Sequence, residues 1–308
     1  VDERLKRLAE QRGGVFSWGD VQNCLLGEHD VRTAIGAREV VRVRRGAYVL
    51  DARWRGARPA EQLALRARAI LLGRSRDLAS HQSALALHGV ATWGVPTHVV
   101  DLMGEVRRTR TVSGVRTHPS HGEVEPVDVG GCVAVDIATA VVQMALRHGV
   151  EAGVVALDHA LHERRCRLSA VRAAGEHLAR GPLDRVRVEA LLARADAKCE
   201  SVGESRTRLL LHDLGHDVRS QVSVSDHDGG FVGRVDFMVG GAVVVEFDGM
   251  VKYEGADGRA ALAREKAREE RLTALGFVVV RLVWADLDHP ERVRSMIERA
   301  LEWVARRS

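Results

Sequence analysis

Apolar residues recur along this chain with two periods, and the changes between them mark its elements. Near the N-terminus Leu5, Leu8 and Ala9 share one face of a helix that Gly13-Gly14 ends. A second short helix is expected to start at Phe16-Ser17-Trp18, with Ser17 as N-cap ahead of Asp20, and Gly27 breaks it. A third spans about 28–37, with Val31 and Ile35 inward and His29, Arg32 and Arg38 outward. The period then drops to two: residues 40–50 alternate and turn at Arg45-Gly46. Helical spacing returns at 59–73, 80–89, 136–147 and 150–162, with strands at 97–103 and 114–118 between them. A charged helix at 183–197 reads as a connector. Beyond it come a helix at 201–214, a strand at 217–225, a hairpin around Gly240-Gly241, a helix at 259–275, a strand at 277–283 and a helix at 290–305. The local order is α-β-β-β-α-β-α, with 277–283 expected as a buried central strand. The class is α/β (α+β), in three parts: 1–57, 58–192 and 193–308.

One stretch breaks its own pattern. In Arg234-Val-Asp236-Phe-Met-Val-Gly-Gly-Ala-Val-Val-Val-Glu246-Phe-Asp248-Gly249, apolar strands carry acids. Side chains alternate faces along a strand, so Glu246 and Asp248 point the same way. A two-residue turn at Gly240-Gly241 would set Asp236 opposite Val245; a three-residue Gly240–Ala242 loop pairs it with Glu246. The three-residue loop is predicted, because it gathers Asp236, Glu246 and Asp248 on one face. Carboxylates that close repel unless a cation or proton lies among them, and hard oxygen donors suit Mg2+ or Mn2+. The competing structural reading is a salt bridge from Arg234 or Arg281. Asp248 ahead of Gly249 also fits a plain turn, and Glu204, three residues after Ser201, also fits a capping box.

The order acid, hairpin, acid, basic helix resembles the PD-(D/E)XK nuclease fold, and more closely the very-short-patch-repair-like endonuclease relatives of actinobacterial genomes. The resemblance runs from about Glu200 to the C-terminus. It rests on Ser201-Val-Gly-Glu204-Ser-Arg206, Gln221, Arg234-Val-Asp236-Phe, Glu246-Phe-Asp248-Gly249, Lys252-Tyr253, Glu265-Lys266 and Gly276-Phe-Val-Val-Val-Arg281-Leu-Val-Trp284. It implies metal-dependent hydrolysis of DNA phosphodiester bonds, with Asp236, Glu246 and Glu204 at the catalytic site and Gln221 nearby. Lys266 and Arg268, on the basic helix, are implied to approach the scissile phosphate. The family's lysine two residues after the glutamate is Asp248 here, and Lys252 is the nearest replacement to stabilise phosphorane charge.

At the other end, three short helices followed by a basic hairpin describe a winged helix-turn-helix. Its third helix, with Arg32 and Arg38, would enter a major groove of double-stranded DNA, and Arg42, Arg44 and Arg45 of the wing would meet phosphates. Gly-Gly-Val-Phe-Ser-Trp-Gly-Asp-Val (13–21) and 40–50 also resemble the N-terminal domain of AbiEi-type antitoxins, transcriptional autorepressors of abortive-infection systems. The stretches at 80–89 and 134–145 resemble the domain that follows it there, with Ala138-Thr139 in place of the usual arginine-threonine pair. This resemblance implies a toxin partner and, as the alternative function, a repressor whose nuclease fold is inactive.

Composition adds little. With 46 basic and 42 acidic side chains among 308 residues the net charge is +4, compatible with nucleic acid but not diagnostic of it. Cys24, Cys132, Cys166 and Cys199 form no CxxC pair, which reads as reduced thiols and argues against zinc. Frequent histidines, among them His81, His88, His118 and His121, have no HExxH context and read as structural. No signal-peptide core and no bilayer-length apolar run is present, so a soluble cytoplasmic protein is expected, with no membrane partner and no small-molecule cofactor.

Overall fold

The computed structural model describes residues 1–120, 124–249 and 256–307, with the side chains of 256–263 excluded. The chain divides into two compact units, Val1–Ala195 and Asp196–Ser308.

The first unit opens with α1 (Glu3–Gln11), β1 (Val15–Ser17), α2 (Trp18–Asn23), α3 (Glu28–Gly36), β2 (Val40–Arg44) and β3 (Ala47–Leu50). Phe16 lies in a strand, not at the start of the second helix where the sequence pattern put it, and Ser17, expected as the N-cap, ends that strand. Phe16 lies flat on Tyr48, centroids 5.1 Å apart, and that contact holds β1 against β3. The helix starts at Trp18, with Ser17 as its N-cap in a capping box with Asp20. β1-β3-β2 form an antiparallel sheet, and Leu5, Val21, Val31 and Ala34 pack with Phe16 and Tyr48 as one core.

After α4 (Asp51–Arg55), helix α5 (Pro59–Leu71) packs on all three of these strands and also on α6 (His81–Leu87). The remaining strands are β4 (Leu78–Ala79), β5 (Val100–Gly104), β6 (Arg110–Val112), β7 (Val115–Pro119), β8 (Val127–Asp128) and β9 (Val133–Ala134). They form a mixed sheet in the order β6-β7-β5-β4-β9-β8. Helices α7 (Ile137–His148), α8 (Val150–His162), α9 (Leu168–Leu178) and α10 (Pro182–Ala193) complete the unit. The helix read as a connector is α10; it buries Val188 and Leu191 and packs on α7, α8 and α9. A face that apolar needs a partner, so the helix belongs to the first unit's core.

The second unit runs α11 (Val202–Asp213), β10 (Val218–Ser225), β11 (Phe231–Val239), β12 (Val243–Phe247), α12 (Ala256–Ala274), β13 (Val278–Leu282) and α13 (Pro290–Ala305). This is the predicted order. The sheet order is β10-β11-β12-β13, antiparallel except for β13, which runs parallel to β12. The 277–283 stretch is therefore an edge strand and not a central one; its apolar run reflects helices on both faces. On one face Phe237, Val243, Val245 and Leu282 pack with Leu211 of α11 and Val293 and Ile297 of α13. On the other, Met238 and Val244 pack with Leu272 of α12. Among the described residues no helix is long and apolar enough to cross a membrane.

Candidate active site

The β11–β12 register settles the loop question. Val239 pairs with Val243, leaving Gly240, Gly241 and Ala242 as a three-residue loop, both glycines in the left-handed region. The pairing Phe237↔Val245, continued one step, sets Asp236 across from Glu246. Phe247 N–H donates to Asp236 Oδ2 at 2.9 Å, fixing that carboxylate at the open end of the hairpin. On its other side, Ser220↔Phe237 and Val222↔Val235 place Gln221 across from Asp236. Gln221 has φ 52, a conformation a non-glycine residue rarely holds inside a strand. Its Nε2 donates to Glu204 Oε2 at 3.0 Å.

Glu204 is buried at the start of α11 and serves the cap as well: its N–H donates to Ser201 Oγ, Ser201 Oγ donates to Oε1 and Glu200 N–H donates to Oε2. Capping and proximity to the acids are thus combined in one side chain. Burial pushes the Asp236 carboxyl above its ordinary value; the Glu204 charge pushes the same way, against the Phe247 N–H. Burial also raises Glu246, opposed by Arg268, with Glu265 and Asp236 adding to the rise.

Glu246 does not stand among bare acids. Arg268 of α12 reaches its Oε1 at 2.5 Å and Glu265 at 2.9 Å, and Arg281 Nε lies 3.6 Å from its Oε2. The structural salt bridge is therefore present through Arg281, while Arg234 pairs with Glu200 at 2.6 Å. Asp248 is exposed, and its N–H donates to Leu282 O. Among the described residues, the ligand atoms of Asp236, Glu246 and Asp248 do not all lie within 4.8 Å of one another, and Glu246 is held by Arg268. Lys266 lies on the exposed face of α12, 4.0 Å from Glu270. Lys252 lies outside the described residues.

The arginines of the first unit do share a surface. A concavity of about 1060 Å3 is lined by Arg32 of α3, Arg42, Arg44 and Arg45 of the β2–β3 hairpin, and Arg74 after α5, with Glu28 as its one acidic residue. Arg32 lies 3.6 Å from Glu28, whereas Arg42, Arg44 and Arg45 form no ion pair among the described residues. Burial, with the Arg74 charge, pushes the Arg44 guanidinium below its ordinary value. Arg38, at φ 58, is exposed beyond the end of α3 and does not line the concavity.

One cluster escaped the pattern reading. His81, Asp101 and His118 are all buried, and each offers a ligand atom within 4.8 Å of the others. They come from α6, β5 and β7, brought together by the parallel β5–β7 pairing; no short motif links them.

No protein-family model matches the chain. Two proteins of Mycobacterium tuberculosis, from strains CDC 1551 and H37Rv, both called uncharacterized protein, are similar to it. Each is 29% identical over 223 residues, spanning 71% of this chain and 79% of the relative.

Proposed function

We propose that the chain is a DNA-binding protein whose second unit hydrolyses DNA phosphodiester bonds with a magnesium or manganese ion. The observation that carries this reading is the facing pair Asp236 and Glu246 on adjacent strands, both half-buried and both raised in pKa, flanked by Glu204 and by Gln221 in a left-handed conformation. Raised carboxyls and a left-handed non-glycine residue gathered at one sheet end favour a working site over a plain core. The order α11-β10-β11-β12-α12-β13 supports the PD-(D/E)XK-like resemblance, and α1 to β3 support the winged-helix reading of the first unit.

As donors, Asp236 and Glu246 suit a hard divalent cation; Asp248 stays outside the set. Such an ion would activate water and stabilise the leaving oxygen. Around it, Gln221 holds the Glu204 carboxylate in place, Phe247 N–H orients Asp236, and Arg268 offsets the charge of Glu246. The arginine-lined concavity of the first unit would receive the phosphate backbone. A second reading, an AbiEi-like repressor with a possible toxin partner and a silent nuclease fold, draws on the Arg268 and Arg281 clamp, which already neutralises Glu246 without an ion.

The two part in one experiment. Plasmid and mismatched duplex DNA are incubated with the wild type and Asp236→Ala in magnesium, manganese or EDTA. The nuclease reading expects cutting that needs the metal and vanishes in the variant. Wild-type protein that binds DNA and cuts no substrate in either metal would leave the repressor.

A further inference from the structure

We propose that His81, Asp101 and His118 form a structural site for one divalent transition-metal ion, zinc foremost, independent of the acids of the second unit. Two imidazoles and a carboxylate are a nitrogen-rich donor set, which selects zinc-like ions over magnesium. The rings stack with centroids 4.1 Å apart, and His118 Nε2 lies 2.5 Å from Asp101 Oδ1. Each ring's other nitrogen is engaged by a hydroxyl: His81 Nδ1 lies 3.0 Å from Ser80 Oγ and His118 Nδ1 lies 3.3 Å from Thr109 Oγ1. Outer partners of that kind fix the rings of metal-binding histidines. Asp101 is held in turn by Gln82 Nε2 at Oδ2, and its N–H donates to Ser83 Oγ at 2.8 Å.

Three features mark this cluster out from ordinary core. Asp101 is fully buried, and the charge opposite it comes from Arg116 at 3.4 Å and from His118 when protonated. Gln82 Oε1 is a buried acceptor without a hydrogen-bond partner on a side chain 0% exposed. His81 opens α6 at φ 49, a strained conformation fixed by its N–H donating to Gln143 Oε1. A cation among the three ligands would neutralise Asp101 and leave a fourth position for water. The ion would tie the start of α6 to β5 and β7. None of the four cysteines takes part.

The test uses the full chain, stripped with a chelator and titrated with Co2+. With Mg2+ in excess to occupy the acids of the second unit, one equivalent should bind, give visible ligand-field absorption bands and be displaced by Zn2+. Zinc should raise the melting temperature of the wild type. His118→Ala should weaken binding of that cobalt equivalent by more than the roughly 10–100-fold that loss of an outer partner costs, whereas excess Mg2+, which suits all-oxygen acids, should leave it in place. Because His118→Ala removes the partner of a buried carboxylate and can fail to fold, His81→Gln serves as the second variant. Folded wild type that shows no cobalt band overturns the site, and so does equal binding by folded variants.

Discussion

Asp236 is held in a place that disfavours its charge. Burial raises its pKa, and Glu204 adds to the rise. A carboxyl whose pKa is higher folded than unfolded contributes stability while it is protonated and loses it as pH climbs through the folded value. At neutral pH the ionised form is therefore a net burden, and Asp236→Asn should relieve it while still accepting the Phe247 N–H. In EDTA the variant is expected to be more stable than the wild type at pH 7. The gap should close as pH falls below the raised value, measured by urea unfolding across pH. An Asn variant less stable at pH 7 would mean that Asp236 is a structural carboxylate. The acids themselves were legible in the sequence, since carboxylates in apolar strands have no packing reason to be there. Arg268 was visible only as one of many charges on a basic helix. Its role depends on which face of α12 meets the sheet, and 22 residues separate it from Glu246.

At the scale of elements, the entry to α11 explains a motif that spacing alone left as a capping box. A Cβ on Gly203 would fall 1.9 Å from Cε1 of the Phe247 ring, and that ring is held from another side by Trp284, centroids 4.9 Å apart and edge to face. The glycine admits the ring, and the ring sits on the residue whose N–H orients Asp236. Gly203→Ala should destabilise the second unit by about 1–3 kcal/mol, the usual consequence of overpacking. It should also lower any cleavage further than the stability loss accounts for; circular dichroism melts alongside cleavage assays would check both. A neutral substitution in both assays would mean the ring swings aside without consequence. Element identities were readable because long periodic segments announce themselves, as α8 and α13 do at their predicted bounds. Strands of two or three residues such as β4, β6 and β8 are too short to show a period. Sheet order was not readable either: three valines in β13 report burial, and burial is equal for a central strand and a helix-covered edge.

For the whole molecule, a net charge of +4 says little, because the meaning lies in where the charge gathers. Arg32, Arg42, Arg44, Arg45 and Arg74 surround one concavity with Glu28 as its acidic residue. Arg32 pairs with Glu28 and Arg74 with Asp77, but Arg42, Arg44 and Arg45 have no ion pair among the described residues, and on the proposed reading duplex phosphate would meet them. Binding of the intact chain to duplex DNA should weaken steeply with salt. Arg42→Ala, Arg44→Ala and Arg45→Ala should each reduce the slope of log K against log salt by about 1, with little change in sequence preference. Arg32→Ala, on the helix, should instead alter which sequences bind. Asp236→Ala should leave slope and preference untouched, since it lies in the other unit. Fluorescence anisotropy over a salt series reads all of these. Slopes unchanged in the three wing variants would remove the concavity from DNA recognition. A slope lowered by Asp236→Ala would instead mean that the second unit, through its acids' surroundings, contributes to binding, and the division of labour proposed for the two units would have to be redrawn.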